Sequence, residues 1–155
     1  MHSHISYLIT LWGFSPTNKL NTLKILQNRI IKVLYNIPYR THTVDVYKNT
    51  HIFKFESQLQ FSSCLMIHKI LKNTTHSNTK IITNKDIHSY NTRNCTKAHS
   101  LSKQTTTYGI NSCLNRSLKN YNNLKDEIRN CGTIHQFKSK LTSLIWQEFI
   151  TNTNN

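Results

Sequence analysis

From Asn18 to Asn36 the chain reads NKLNTLKILQNRIIKVLYN. Leu20, Leu23, Leu26, Ile30, Val33, Leu34 and, just beyond, Ile37 recur three and four residues apart, which predicts one apolar stripe along a helix. Lys24, Asn28 and Lys32 repeat every fourth residue on the opposite side, so this helix is expected to bury one face and to show a basic one. Ser15-Pro16-Thr17-Asn18 supplies a break and a capping residue ahead of it. Pro38 ends it, because proline lacks the amide hydrogen that a further turn needs.

The same spacing extends outward. Ile5, Leu8, Ile9 and Trp12 form a helical pattern before the break. Residues Asp45 to Asn49 suit a short helix, and Phe53 to Leu71 a longer one built on Phe55, Leu59, Leu65, Met66 and Ile70. An apolar and aromatic stripe of that kind reads as core rather than as a ligand cradle. Beyond Lys72 the pattern dissolves into Asn, Thr, Ser, His and Lys, with Ile81, Ile82 and Ile87 as apolar anchors. So long a polar connection is expected to be flexible or to be ordered by a partner. Pattern returns near Tyr108, with helical turns on Leu114, Leu118, Tyr121 and Leu124, then Asp126 to Asn130. Thr133 and Gln136 form a capping box that opens a last amphipathic helix on Ile134, Phe137, Leu141, Leu144, Ile145 and Phe149, with Lys138 and Lys140 outside. Three Gly and two Pro in 155 residues argue against a turn-dense β architecture. The expected fold is mainly α: a helical region over 1–72, a polar loop over 73–107, a C-terminal helical region over 108–150 and a frayed tail over 151–155.

Charge narrows the partners. Twenty Lys and Arg face six acids, a net charge of +14, and no acid lies between Ser57 and Lys85. That balance favours a polyanion, since each phosphate neutralised by Lys or Arg releases counterions. RNA or DNA is therefore the expected partner, ahead of a membrane surface or a small-molecule substrate. The apolar run from Ile5 to Phe14 is too short to span a bilayer, and neither a basic segment before it nor a small-residue cleavage site after it makes it a secretion signal. Cys64, Cys95, Cys113 and Cys131 are widely spaced with no paired-cysteine motif. Reduced thiols in an intracellular protein of nucleus or cytoplasm are expected, not a secreted one.

Catalytic constellations are sparse. Two-metal phosphoryl transfer needs converging carboxylates. The three Asp stand apart from one another, and Asp126 and Glu127 are adjacent residues that do not face each other on a helix. His88, Cys95 and His99 lack a fourth ligand for a structural zinc site, and Gly13, Gly109 and Gly132 make no phosphate-cradling loop. No catalytic residue, metal or cofactor is assigned. What remains is binding chemistry: Arg93 and Lys97 flank Tyr90, and Lys103 precedes Tyr108. Cations can hold phosphates while an aromatic face stacks on a base, or Tyr90 can pack on the core with the cations merely solvated. Lys24 and Lys32 form a second candidate surface that can track a phosphate backbone or simply be a solvated face.

Several short elements stand in a set order: Ser3-His4-Ile5-Ser6-Tyr7 running into Leu11-Trp12-Gly13; Leu23 to Arg29 ending Gln-Asn-Arg; His88-Ser89-Tyr90-Asn91-Thr92-Arg93; Tyr108-Gly109 with Ser112; Tyr121-Asn122-Asn123-Leu124; and Phe137-Lys138-Ser139-Lys140-Leu141. Together they resemble the C-terminal end of jockey-like non-LTR retrotransposon reverse transcriptases over nearly the whole chain. Cys113 stands where that family has Phe, and Ser117, Leu118 and Lys125 stand where it has a Gly and two Pro. The resemblance implies a helical thumb-like bundle and tail that grip template–primer duplex and element RNA. Fingers, palm and catalytic aspartates would belong to the rest of the RNA-directed DNA polymerase, the other implied partner. It also implies a truncated fragment, translated from a start inside the polymerase frame and marginal in stability alone. Two alternatives stay open: an inert product of a decayed mobile element, and a host-adopted nucleic-acid-binding module working alone.

Overall fold

The computed structural model describes residues 2–72, 81, 83–87, 90, 97 and 105–154. Among them the chain is helical, with no strand element: α1 His2–Ser6, α2 Ile9–Trp12, α3 Thr17–Leu34, α4 Val44–Thr50, α5 Phe55–Leu71, α6 Asn84–Ile87, α7 Thr107–Ile110, α8 Cys113–Asn122, α9 Asp126–Arg129 and α10 Ile134–Asn154. The mainly α expectation holds, and α4, α8, α9 and the start of α10 lie where the pattern puts them, but α10 runs on to Asn154, through residues expected to fray.

Helix α5 is the centre. One side joins Cys64 and Ile67 to Leu118 and Tyr121 of α8, Leu124, Ile128 and Cys131 around α9, and Phe137, Leu141 and Ile145 of α10, a single buried cluster. The other side joins Phe55 to Ile5 and Ile9, with Trp12, Leu20, Leu23 and Leu59 packed around them. Trp12 stacks on Phe55 with ring centroids 5.6 Å apart. The two helical regions on either side of the polar segment therefore share one core. Gly13 is needed where α2 meets α5, since a Cβ there would lie 2.4 Å from the Ile9 carbonyl oxygen and 2.6 Å from Leu59 Cδ1.

Helix ends follow local chemistry. α3 closes in a Schellman turn: the Ile37 N–H reaches the Lys32 carbonyl at 2.9 Å and the Asn36 N–H the Val33 carbonyl at 3.2 Å, with Asn36 at φ 50°. α10 opens with the Thr133 half of the expected capping box, the Gln136 N–H donating to Thr133 Oγ1 at 3.3 Å. At the start of α3 the capping expectation is corrected. Pro16 occupies the cap position without a side-chain bond, and its carbonyl takes the Lys19 and Leu20 amides. The N-terminal pattern is also two helices, split at Leu8, which sits at φ 47° and is 51% exposed.

The largest correction concerns the face of α3. Leu26, Ile30, Val33 and Leu34, expected in the core, are exposed at 46, 38, 80 and 65%. The buried line runs through Gln27 and Ile31 instead. The reason is polar. The buried Gln27 amide donates from Nε2 to the Phe53 carbonyl at 3.1 Å and accepts the Phe55 N–H on Oε1 at 3.0 Å. Asn28 Oδ1 accepts from Tyr47 Oη at 2.9 Å, and Lys24 pairs with Glu56 at 2.5 Å. Of the side read as basic and outward, Lys24 and Asn28 thus face α5 and α4, because their partners are distant in sequence, whereas Lys32 turns to Tyr39.

α5 shows a milder form of the same effect. Of its expected stripe only Phe55 is fully buried, whereas Ser63, Cys64, Ile67 and His68 are shut from solvent. Small Ser63 and Cys64 let α8 approach, and Asn120 Nδ2 donates to Ser63 Oγ at 3.1 Å across that contact. His68 stacks on Phe137 at 3.9 Å and 6°, with Nδ1 3.3 Å from Tyr121 Oη. Its Nε2 has no partner among the described residues. Burial, aided by the nearby Lys72 charge, pushes the imidazole pKa down to about 4, and burial raises the Tyr121 hydroxyl and the Cys64 thiol to about 12.

Two outcomes test this packing. Ile31→Ala should cost about 2–5 kcal/mol in urea unfolding, while Val33→Ala should cost less than about 0.5 kcal/mol. The reverse order would restore the sequence-derived face. For His68, the folded pKa lies below the unfolded 6.5, so the unfolded chain binds the extra proton. Its contribution is complete above pH 6.5 and is lost as pH falls toward about 4. His68→Phe, which keeps the stack, should remove about 3 kcal/mol of that acid sensitivity, read from urea unfolding at pH 7 and pH 4.

Candidate nucleic-acid interface

Lys24 and Lys32 lie two turns apart on α3, yet neither is an idle surface cation. Lys24 Nζ meets Glu56 Oε1 at 2.5 Å with its side chain about a third exposed. Lys32 Nζ donates to the Tyr39 carbonyl and stands 5.3 Å from the centroid of the Tyr39 ring. That ring is 74% exposed, so Lys32 and Tyr39 together offer a cation beside an open aromatic face.

In the polar segment, Tyr90 is 79% exposed, three residues after α6. Packing of Tyr90 onto the core is thereby set aside. α6 is capped by Asp86, whose carboxylate accepts the Thr83 N–H at 2.8 Å and the Thr83 hydroxyl at 2.7 Å. Lys97 is half-buried, and its carbonyl takes the Asn84 N–H at 3.0 Å, which ties Lys97 to the start of α6. Arg93 and Lys103 lie outside the described residues, as do His88, Cys95 and His99. Tyr108, 90% exposed, is a second open ring in this part of the chain.

A cluster unmarked in the sequence sits between α3, α5 and α10. A cleft of about 470 Å³ is lined by Lys24, Lys54, Glu56, Gln60, Glu148 and Asn152, among others. Lys54 Nζ lies 5.3 Å from the Tyr47 ring and 4.8 Å from the Phe149 ring. Burial lowers its pKa, against the pull of Glu56. Gln60 Nε2 donates to Glu148 at 3.2 Å. The aromatic partners of Lys54 come from α4 and α10, so no local pattern announces the site. Both carboxylates are engaged by neighbouring side chains, which makes this cleft a joint between helices. Among the described residues no group of three or more His, Cys, Asp or Glu is placed to hold a metal, and no helix is long and apolar enough to cross a membrane. Comparisons with protein-family models, curated proteins and solved structures give no match for this chain.

The Lys24–Glu56 pair has a readable consequence. Glu56→Gln removes one acid and releases Lys24, so affinity for a short RNA oligonucleotide should rise a few-fold at low salt. Lys24→Gln, by contrast, should change that affinity by less than about twofold, because its charge is already spent on Glu56. Fluorescence anisotropy on the two variants checks both; a large loss in Lys24→Gln would mean that Lys24 leaves Glu56 for a phosphate.

Proposed function

We propose that this chain is a non-catalytic nucleic-acid-binding element of a jockey-like non-LTR retrotransposon reverse transcriptase, engaging RNA or template–primer duplex while the polymerase chemistry is done outside it. The observation that carries the reading is the charge. Twenty Lys and Arg stand against six acids, so even with every acid paired an excess of fourteen cations is left; Lys24–Glu56 and Arg129–Asp126 are two such pairs. Lys19, Arg29, Arg40, Lys125, Lys138 and Lys140 are exposed. A surface of that kind collects phosphates at a gain from counterion release.

The ordered motifs support the same reading. Gln27 and Asn28 of the Gln-Asn-Arg element bind the α4–α5 region. Tyr121, Leu124, Phe137 and Leu141 of the later elements are buried in the core. Those motif residues are accounted for by packing. Within His88 to Arg93, the one described residue, Tyr90, faces solvent. An exposed ring beside Arg93 in sequence suits stacking on a base with a phosphate held alongside.

Binding to single-stranded RNA and to duplex, titrated between about 50 and 200 mM salt, tests the proposal. Affinity should fall with a log–log slope of about −0.9 per phosphate contact on duplex DNA and about −0.7 on single strands. Arg93→Ala should flatten that slope by about one contact, whereas Tyr90→Ala should weaken single-strand binding by about 1–3 kcal/mol and leave the slope alone. Absence of binding at low salt, or binding indifferent to salt, would overturn the reading.

A further inference from the structure

The exposed aliphatic face of α3, which borders Gln27, carries a second binding surface. Leu26, Ile30, Val33 and Ile37 follow one another at i, i+4, i+7 and i+11, with Leu34 beside them. From Leu26 to Leu34 the stripe is about 12 Å long at helical rise, Ile37 continues it past the closing turn, and four of these five residues are between 38 and 80% exposed. Where α3 passes α1 and α2 the stripe deepens into a mainly apolar pocket of about 380 Å³, lined by Ile5, Trp12, Leu23, Leu26 and Ile30 together with His4 and Gln27. At the other end it borders a cleft of about 520 Å³ that includes Arg29, Val33, Ile37 and Tyr39. Lys19 and Arg29 flank it, both exposed, and no acid precedes Asp45 in the chain.

Charge and shape select the occupant. A second copy of the chain would bring Lys19 and Arg29 against their own kind, on molecules each carrying +14. Nucleic acid satisfies the cations and leaves the apolar stripe wet. A lipid surface is flat, whereas this stripe ends in a pocket sized for a large side chain. We propose that the α3 stripe is a groove for an acidic amphipathic helix of about three turns supplied by another protein. One large apolar side chain of that helix fills the Trp12–Leu26–Ile30 pocket. Further apolar residues at i, i+4 and i+7 cover Ile30, Val33 and Ile37. Carboxylates along its edges meet Lys19 and Arg29. The groove runs beside the polar joint, with Gln27 in the pocket wall, so the helix can dock on the exposed Leu26, Ile30 and Val33 while Gln27 keeps its bonds to Phe53 and Phe55.

The probe is a labelled synthetic helix with Leu at i, i+4, i+7 and i+11 and Glu on its remaining face, titrated into the full chain by fluorescence anisotropy. Its control is a permuted peptide of identical composition without the stripe. The ordered peptide should bind at least about tenfold more tightly than the permuted one, equivalent to 1.4 kcal/mol. Val33→Gln and Arg29→Glu should each cost a similar factor. Val33 is 80% exposed, so its replacement leaves the fold in place, which circular dichroism checks, and Val33→Gln leaves the charge available to RNA unchanged. Loss of peptide binding with RNA affinity retained in Val33→Gln separates this surface from the nucleic-acid reading. Equal binding of the two peptides would reduce the effect to charge and overturn the proposal. So would binding to mixed phosphatidylglycerol–phosphatidylcholine vesicles without binding to the ordered peptide, or a dimer in sedimentation that Val33→Gln dissolves.

Discussion

A single buried amide organises the N-terminal half of this protein. Gln27 donates to the Phe53 carbonyl and accepts from the Phe55 amide, so one side chain stitches α3 to the start of α5. A buried Gln left without such partners would lose a few kcal/mol in desolvation. Once the stitch is made, the rotation of α3 about its axis is set. Ile31 goes inward, Asn28 reaches Tyr47, Lys24 reaches Glu56, and a row of aliphatic residues is turned to the solvent. The α3 surface is a consequence of that one polar contact.

The second constraint is the close approach of α5 and α8. Ser63 and Cys64 on α5 and Ser117 on α8 are fully buried and small, and they allow the helices to pack with Tyr121 and His68 side by side. Aromatic stacking then extends through Phe137 into α10. The core is held by rings with polar edges as much as by aliphatic side chains. It consequently tolerates a neutral imidazole and disfavours a charged one, which makes the interior sensitive to acid. Buried stacking and buried titratable groups are here the same residues.

The two proposed contacts draw on different surface chemistry. Exposed cations spread over several helices, and Tyr39, Tyr90 and Tyr108 hold their rings in solvent. Phosphate and base contacts need no deep cavity, only such exposed cations and planes. The α3 stripe asks for something different, because phosphates cannot cover apolar surface. On the two proposed readings the exposed cations serve a nucleic acid and the aliphatic stripe serves an acidic protein segment, with Lys19 and Arg29 common to both.

Length, composition and spacing were enough to determine a helical protein with a strongly basic surface. They also determined the core line of α10, since Phe137, Leu141 and Ile145 find their partners on a stripe that local periodicity already shows. α8 was legible for the same reason through Leu118, Tyr121 and Leu124. Only the tertiary structure decided which side of α3 is inside, because Gln27, Asn28 and Lys24 are satisfied by Phe53, Phe55, Tyr47 and Glu56 about twenty to thirty residues away. It likewise decided the placing of Lys54 between Tyr47 and Phe149, and of His68 on Phe137. Periodicity counts apolar residues along one helix. It does not register a polar group whose partner arrives from another, and in this chain such groups set the faces.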